Sequence, residues 1–163
     1  MAGCFAYAPS SSCTDGEHAV GESSAWRPRN ILEQDFQAAA LVAHVDAKSA
    51  VVVDSIRGDD GRPGYEVWKV SGTVKETFKG HRTAGESVEY YDVAEAGLTS
   101  ARLTGEHVIF LQDRDLPKLG GRGWITMENS TERYSEGLVK ELRSIRAAST
   151  HTLTTTPTAP AAL

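Results

Sequence analysis

Residues 65–80, YEVWKVSGTVKETFKG, constrain the fold more than any other stretch of the chain. Trp68, Val70, Val74 and Phe78, with Gly72 among them, fall on one side of a two-residue alternation. Tyr65, Lys69, Ser71, Thr73, Lys75, Thr77 and Lys79 fall on the other. A period of two with one apolar side predicts a β-strand with a dry face and a wet face. Such a strand needs a core beneath it and partners along its edges. Gly72, in mid-strand, predicts a bulge or a sharp bend.

The neighbouring segments supply the partners. Residues 35–53 carry Ala39, Leu41, Ala43, Val45 and then Val51, Val52 and Val53, which predicts a long strand bent near residues 47–49. The Gly-, Asp- and Pro-rich residues 57–64 predict the turn of a hairpin into the 65–78 strand. A third strand is expected over residues 87–93, through Val88, Tyr90, Tyr91 and Val93. A fourth is expected over residues 107–112. Its run Val108, Ile109, Phe110, Leu111 suits burial on both faces. After a loop at residues 113–123, residues 124–127 predict a short fifth strand. Leu138, Val139, Leu142 and Ile145 then recur at helical spacing, with Ser135 as N-cap, Glu136 in the first turn and Arg143 and Arg146 in the last.

The expected fold class is all-β with a C-terminal helix. Five strands of this kind shed their edges by closing into an OB-fold-like Greek-key barrel. The expected organisation is a flexible leader at 1–30, one barrel domain with its helix at 31–148, and a disordered Thr/Ala/Pro-rich tail at 149–163.

With 163 residues, 40% of them hydrophobic, the chain suits one domain with a real core. Its net charge of −5 lacks the basic bias of a nucleic-acid binder. Lys69, Lys75 and Lys79 line the wet side of the second strand and are the candidate binding surface, although Glu66 and Glu76 stand close by. Stacking on Tyr65, Trp68, Tyr90, Tyr91 or Trp124 would suit an oligonucleotide, but Trp68 and Trp124 are expected in the core. No apolar run approaches the ~20 residues of a bilayer span. His44 and His107 fall on expected strands as packed or surface residues, and Asp59, Asp60, Asp113 and Asp115 on expected turns or loops. Neither a phosphate-binding nor a nucleophile motif occurs, so no catalytic, cofactor-binding or metal-ligating residue is expected. A catalytic reading would require a buried carboxylate or histidine pair converging in a pocket.

The two cysteines are Cys4 and Cys13. Met1-Ala2-Gly3-Cys4 resembles the end of a bacterial lipoprotein signal, which implies a membrane tether through Cys4 if the reading frame starts upstream. A short disulfide from Cys4 to Cys13 is the alternative in an oxidising compartment. Either way the expected location is exported: periplasmic, tethered to the outer membrane, or extracellular.

In order and spacing, four groups of residues carry a family likeness: 39–45, AALVAHV; 65–80 with its Phe78-Lys79-Gly80 ending; Ala96-Gly97; and 105–110, GEHVIF. Over roughly residues 35–145 the chain resembles the netrin-like OB-fold domains, which include the N-terminal domain of the tissue inhibitors of metalloproteinases and their bacterial secreted relatives. The resemblance implies a non-catalytic exported protein-binding module, metalloprotease-inhibitor-like, whose partner is a protease-like protein or an envelope component. The alternative is an OB-fold binder of oligonucleotide or carbohydrate. In the inhibitors an N-terminal cysteine is anchored by a disulfide to a Cys-Gly pair; here Ala96-Gly97 stands at that position, and the anchor is absent.

Overall fold

A computed structural model describes residues 27–152. Cys4 and Cys13, and most of the expected leader and tail, lie outside the described residues. The elements run α1 (Arg29–Ala38), β1 (Leu41–Arg57), β2 (Pro63–Lys79), β3 (Ser87–Glu95), a 3-10 turn (Ser100–Arg102), β4 (Gly105–Leu116), a second 3-10 turn (Pro117–Leu119), β5 (Gly121–Arg133) and α2 (Glu136–Thr152). The five strands close into a ring in the order β1-β2-β3-β5-β4. All neighbours are antiparallel except β3 and β5, whose one parallel bridge joins Tyr91 to Ile125. The mostly β fold, the five strands and the C-terminal helix match the sequence expectation.

Inside the ring lies a core of Leu41, Ala43, Val45, Ala47, Trp68, Val70, Val74, Val88, Tyr90, Ile109 and Leu111, with Trp124 packed against it. A second core lies outside, where α1 contributes Leu32 and Phe36, and α2 contributes Leu138, Val139, Leu142 and Ile145. These cover Val42 of β1, Phe78 of β2, and Val108 and Phe110 of β4. The unbroken apolar run 108–111 is therefore buried on both faces, as expected, because helices close the outer one.

Helix α1 corrects the sequence reading. Residues 35–38, expected as the start of a strand, are its last turn, and the helix begins within the expected leader. It carries no side-chain N-cap and no acidic residue in its first turn, so the usual start signals are missing. What holds it is tertiary: Leu32 and Phe36, one turn apart, are both buried. Arg29 reaches Glu141 of α2 at 2.7 Å. Other boundaries also move. Strands β4 and β5 extend through most of residues 113–123, leaving a turn at 117–120, and α2 runs on to Thr152, into the expected tail. Ser135 caps α2 as expected, its Oγ accepting from Leu138 N–H at 3.3 Å.

The alternation of β2 holds from Trp68 to Val74 and then flips. Val45 pairs with Val74 and His44 with Glu76, so Lys75 is an extra residue, a β-bulge. One added residue exchanges the faces of everything beyond it. Phe78, expected on the same dry face as Trp68, therefore packs outside against the helices. Glu76 on the same face meets Arg143 of α2 through two hydrogen bonds of 3.0 and 2.6 Å, which hold its carboxyl below the ordinary value.

Gly72 sits where β1 crosses closest. A Cβ there would lie 2.7 Å from Asp46 O and 2.9 Å from Ala47 Cα, beside the β1 register shift between Ala47 and Ser49. The expected bend at Gly72 is thus a close backbone approach. Gly72→Ala is predicted to cost roughly 1–3 kcal/mol through overpacking, outweighing the roughly 0.4–1 kcal/mol that a stiffer unfolded chain contributes. Urea unfolding of the two proteins measures the difference; an unchanged or raised midpoint would contradict the contact.

Candidate functional site

The ring is weakest where its ends meet. Between β3 and β5 the backbone supplies a single bridge. On β3 the inward positions of the alternation are Val88, Tyr90 and then Asp92, so a carboxylate lies where the pattern calls for an apolar residue. Asp92 is only 7% exposed. Thr126 Oγ1 donates to its Oδ1 at 3.1 Å, and Thr131 Oγ1 donates to its Oδ2 at 2.8 Å. Both threonines belong to β5, so these side-chain bonds span the gap that the backbone ladder leaves. Beside this joint the Tyr91 ring lies against Gly123, where a Cβ would meet it at 3.4 Å, and the Tyr91 hydroxyl donates to Leu119 O at 3.4 Å.

Burial raises the Asp92 carboxyl above its ordinary value, against the lowering effect of the Thr131, Thr126 and Val93 hydrogen bonds and of the neighbouring His107. Desolvation disfavours the charged form, and here it outweighs the bonds that favour it.

The carboxylate is part of the lining of a cleft of about 950 Å³. Its walls come from Ile56 and Tyr65 of the β1–β2 hairpin, residues 92–95 of β3, Leu98, Arg102 and Leu103 of the β3–β4 connection, His107 of β4, and Thr126, Met127, Ser130, Thr131 and Arg133 of β5. His107 is 2% exposed, and its Nδ1 lies 3.2 Å from Gly105 O. If that nitrogen carries the proton, Nε2 is left as an acceptor. Ser130 is also buried, and its hydroxyl is turned to the carbonyls of Met127, at 2.5 Å, and Phe110, at 3.4 Å. A buried carboxylate and a buried imidazole thus line one pocket, the arrangement a catalytic reading would require. The carboxylate is engaged by Thr126 and Thr131, and the serine hydroxyl by backbone carbonyls.

Each of the three lysines of the expected binding surface has a polar partner. Lys69 pairs with Glu89 at 3.1 Å and Lys75 approaches Asp46 at 3.7 Å. Lys79 donates to Phe36 O at 2.9 Å and Gln37 O at 2.7 Å, capping the C-terminus of α1. Burial lowers its pKa. Trp68 is in the ring core, as expected. His44 stacks on Tyr134 with ring centres 4.4 Å apart, outside the cleft lining.

A second surface lies on the β1–β2 hairpin. The β1–β4 ladder ends at Ala47 and Gly105, so beyond it β1 is paired on the β2 side alone among the described residues. A register shift between Val52 and Asp54 interrupts the alternation there. Val51, Val52, Val53 and Ile56 of β1, Tyr65 of β2 and Val93 of β3 are all exposed, Val51 to 54% and Tyr65 to 50%.

Asp92 gives a pH-dependent prediction. Its folded-state pKa is raised, so its contribution to stability is full below about 3.9, the unfolded value, and is lost as pH rises through the folded value. Asp46 and Glu76, both lowered, have the opposite slope. Asp92→Asn keeps the shape and removes the titration. Subtracting its unfolding free energy from that of the native chain, between pH 3 and 8, is predicted to give a difference that moves against the native chain as pH rises. A pH-independent difference would contradict the assignment.

No protein-family model matches this chain, and neither does any curated protein sequence.

Proposed function

We propose that the chain is a non-catalytic, exported protein-binding module of OB type, related to the netrin-like domains, which engages an extended apolar segment of its partner along the β1–β2 hairpin. The observation that carries the reading is the exposed apolar hairpin, one strand edge of which has no pairing partner among the described residues. An unpaired edge offers backbone N–H and C=O groups to an added strand, and alternate side chains beside it set specificity. Contiguous exposed apolar surface on a folded domain marks an interaction site more often than chance.

Three further features support the reading. The ring order β1-β2-β3-β5-β4 with five strands fits an OB-fold, the fold implied by the resemblance over residues 35–145. The lysines that would have favoured an oligonucleotide are each engaged by a carboxylate or a helix terminus. Asp92 is committed to holding the strand ring together, which favours a structural over a catalytic role. A metalloprotease-inhibitor-like activity would have to use the hairpin rather than a disulfide-anchored N-terminus, since Ala96 offers no cysteine to anchor one.

The test is site-specific photocrosslinking in the native host, with a benzophenone side chain introduced at Val53. A discrete protein adduct, lost when Ile56→Glu is added, is predicted. Absence of any protein adduct, together with salt-dependent binding of single-stranded DNA in fluorescence anisotropy, would favour the oligonucleotide alternative and overturn the proposal.

A further inference from the structure

The β3–β5 cleft adjoins the hairpin surface, sharing Ile56, Tyr65 and Val93 with it, but has a chemistry of its own. Its floor is built of acceptors. Asp92 accepts from the hydroxyls of Thr126 and Thr131 and from the backbone of Val93, which leaves about one of a carboxylate's four acceptor sites. The two threonine oxygens, their hydrogens turned to Asp92, keep acceptor lone pairs of their own. With its proton on Nδ1, His107 adds Nε2 as a further acceptor. The outer lining is built of donors: Arg102 and Arg133 are both exposed and both line the cleft. The formal charges balance, Asp92 and Glu95 against Arg102 and Arg133, so the lining has no net charge with which to select an ion. One wall is apolar, from Ile56 and Leu98 with the half-exposed ring of Tyr65.

We infer that this cleft is a binding site for a small, neutral, hydroxyl-rich molecule of the polyol or monosaccharide class. A hydroxyl is both donor and acceptor, so one ring of hydroxyls can donate to the acceptor floor and accept from the guanidiniums. Neither a simple cation nor a simple anion serves both sides. An apolar wall with an aromatic ring suits the C–H face of a sugar. About 950 Å³ falls within the range of small-molecule sites.

The test is titration of the isotope-labelled full chain with D-glucose, D-mannose and myo-inositol, read by amide NMR shifts. Alanine and inorganic phosphate serve as the zwitterionic and anionic comparisons. At least one polyol is expected to shift the amides of Val93, Leu103, His107 and Thr131 saturably, leaving those of α2 unchanged. Arg133→Ala, an exposed position whose loss leaves the core intact, is expected to weaken that binding roughly 3- to 10-fold, the effect of one lost hydrogen bond. Arg133→Lys, which keeps a donor, should recover part of it. Three outcomes would overturn the inference: no saturable shift with any polyol, shifts confined to residues outside the cleft, or saturation by alanine or phosphate without saturation by the polyols.

Discussion

Closure of the strand ring between β3 and β5 is the constraint on which the rest of this structure depends. Every other neighbouring pair is held by an antiparallel ladder of several residues. This pair has one parallel bridge. The missing backbone bonds are replaced by a carboxylate on β3 that accepts from two hydroxyls on β5. A buried carboxylate is tolerable only when hydrogen-bonded, and here the bonds that satisfy it are the ones that join the strands. If they fail, β3 and β5 part, the interior core of Val88, Tyr90 and Trp124 opens on that side, and the cleft loses its floor.

The helices act on the opposite side of the ring. Their apolar faces bury Val42 of β1, Phe78 of β2, and Val108 and Phe110 of β4 from outside, so those strands are fixed from two directions. The β1–β2 hairpin beyond Ala47 and the β3–β5 joint are covered by neither helix core. The two candidate surfaces therefore lie where the fold is least enclosed, which is the common placement of binding regions on a rigid scaffold.

Much of this was legible in residue pattern. The alternation through Trp68, Val70, Gly72 and Val74 foretold the dry face, its glycine marked a special position that proves to be a close backbone approach, and Ser135 with the 138–145 periodicity foretold α2. What escaped was set by tertiary contact. Helix α1 has no start signal of its own, and its anchors Leu32 and Phe36 are recognisable only once β4 and α2 are in place. Phe78 followed a sound alternation that the bulge at Lys75 reversed, and nothing in the residues announces that bulge. Of the cleft, His107 falls on a strand as a packed or surface residue by its pattern, and the structure buries it. Asp92 belongs to no recognisable motif, although the spacing of Val88, Tyr90 and Asp92 places it on the inward face. A charged residue continuing an apolar alternation was the available signal, and its threonine partners lie 34 and 39 residues away. Lys69, Lys75 and Lys79 share a side of the β2 pattern, but their partners on β3, β1 and α1 take each in a different direction.

A double-mutant cycle between Asp92 and Thr131, with Asp92→Leu and Thr131→Val measured singly and together by urea unfolding, tests the ring-closure account most directly. A lone Thr131→Val leaves a buried carboxylate short of a donor, whereas the double variant replaces both partners with apolar groups of similar shape. The account predicts that the double variant is more stable than the sum of the single losses allows, by at least about 1 kcal/mol. Additivity within roughly 0.3–0.5 kcal/mol would show that the carboxylate and the hydroxyl do not hold the strands together, and would contradict it.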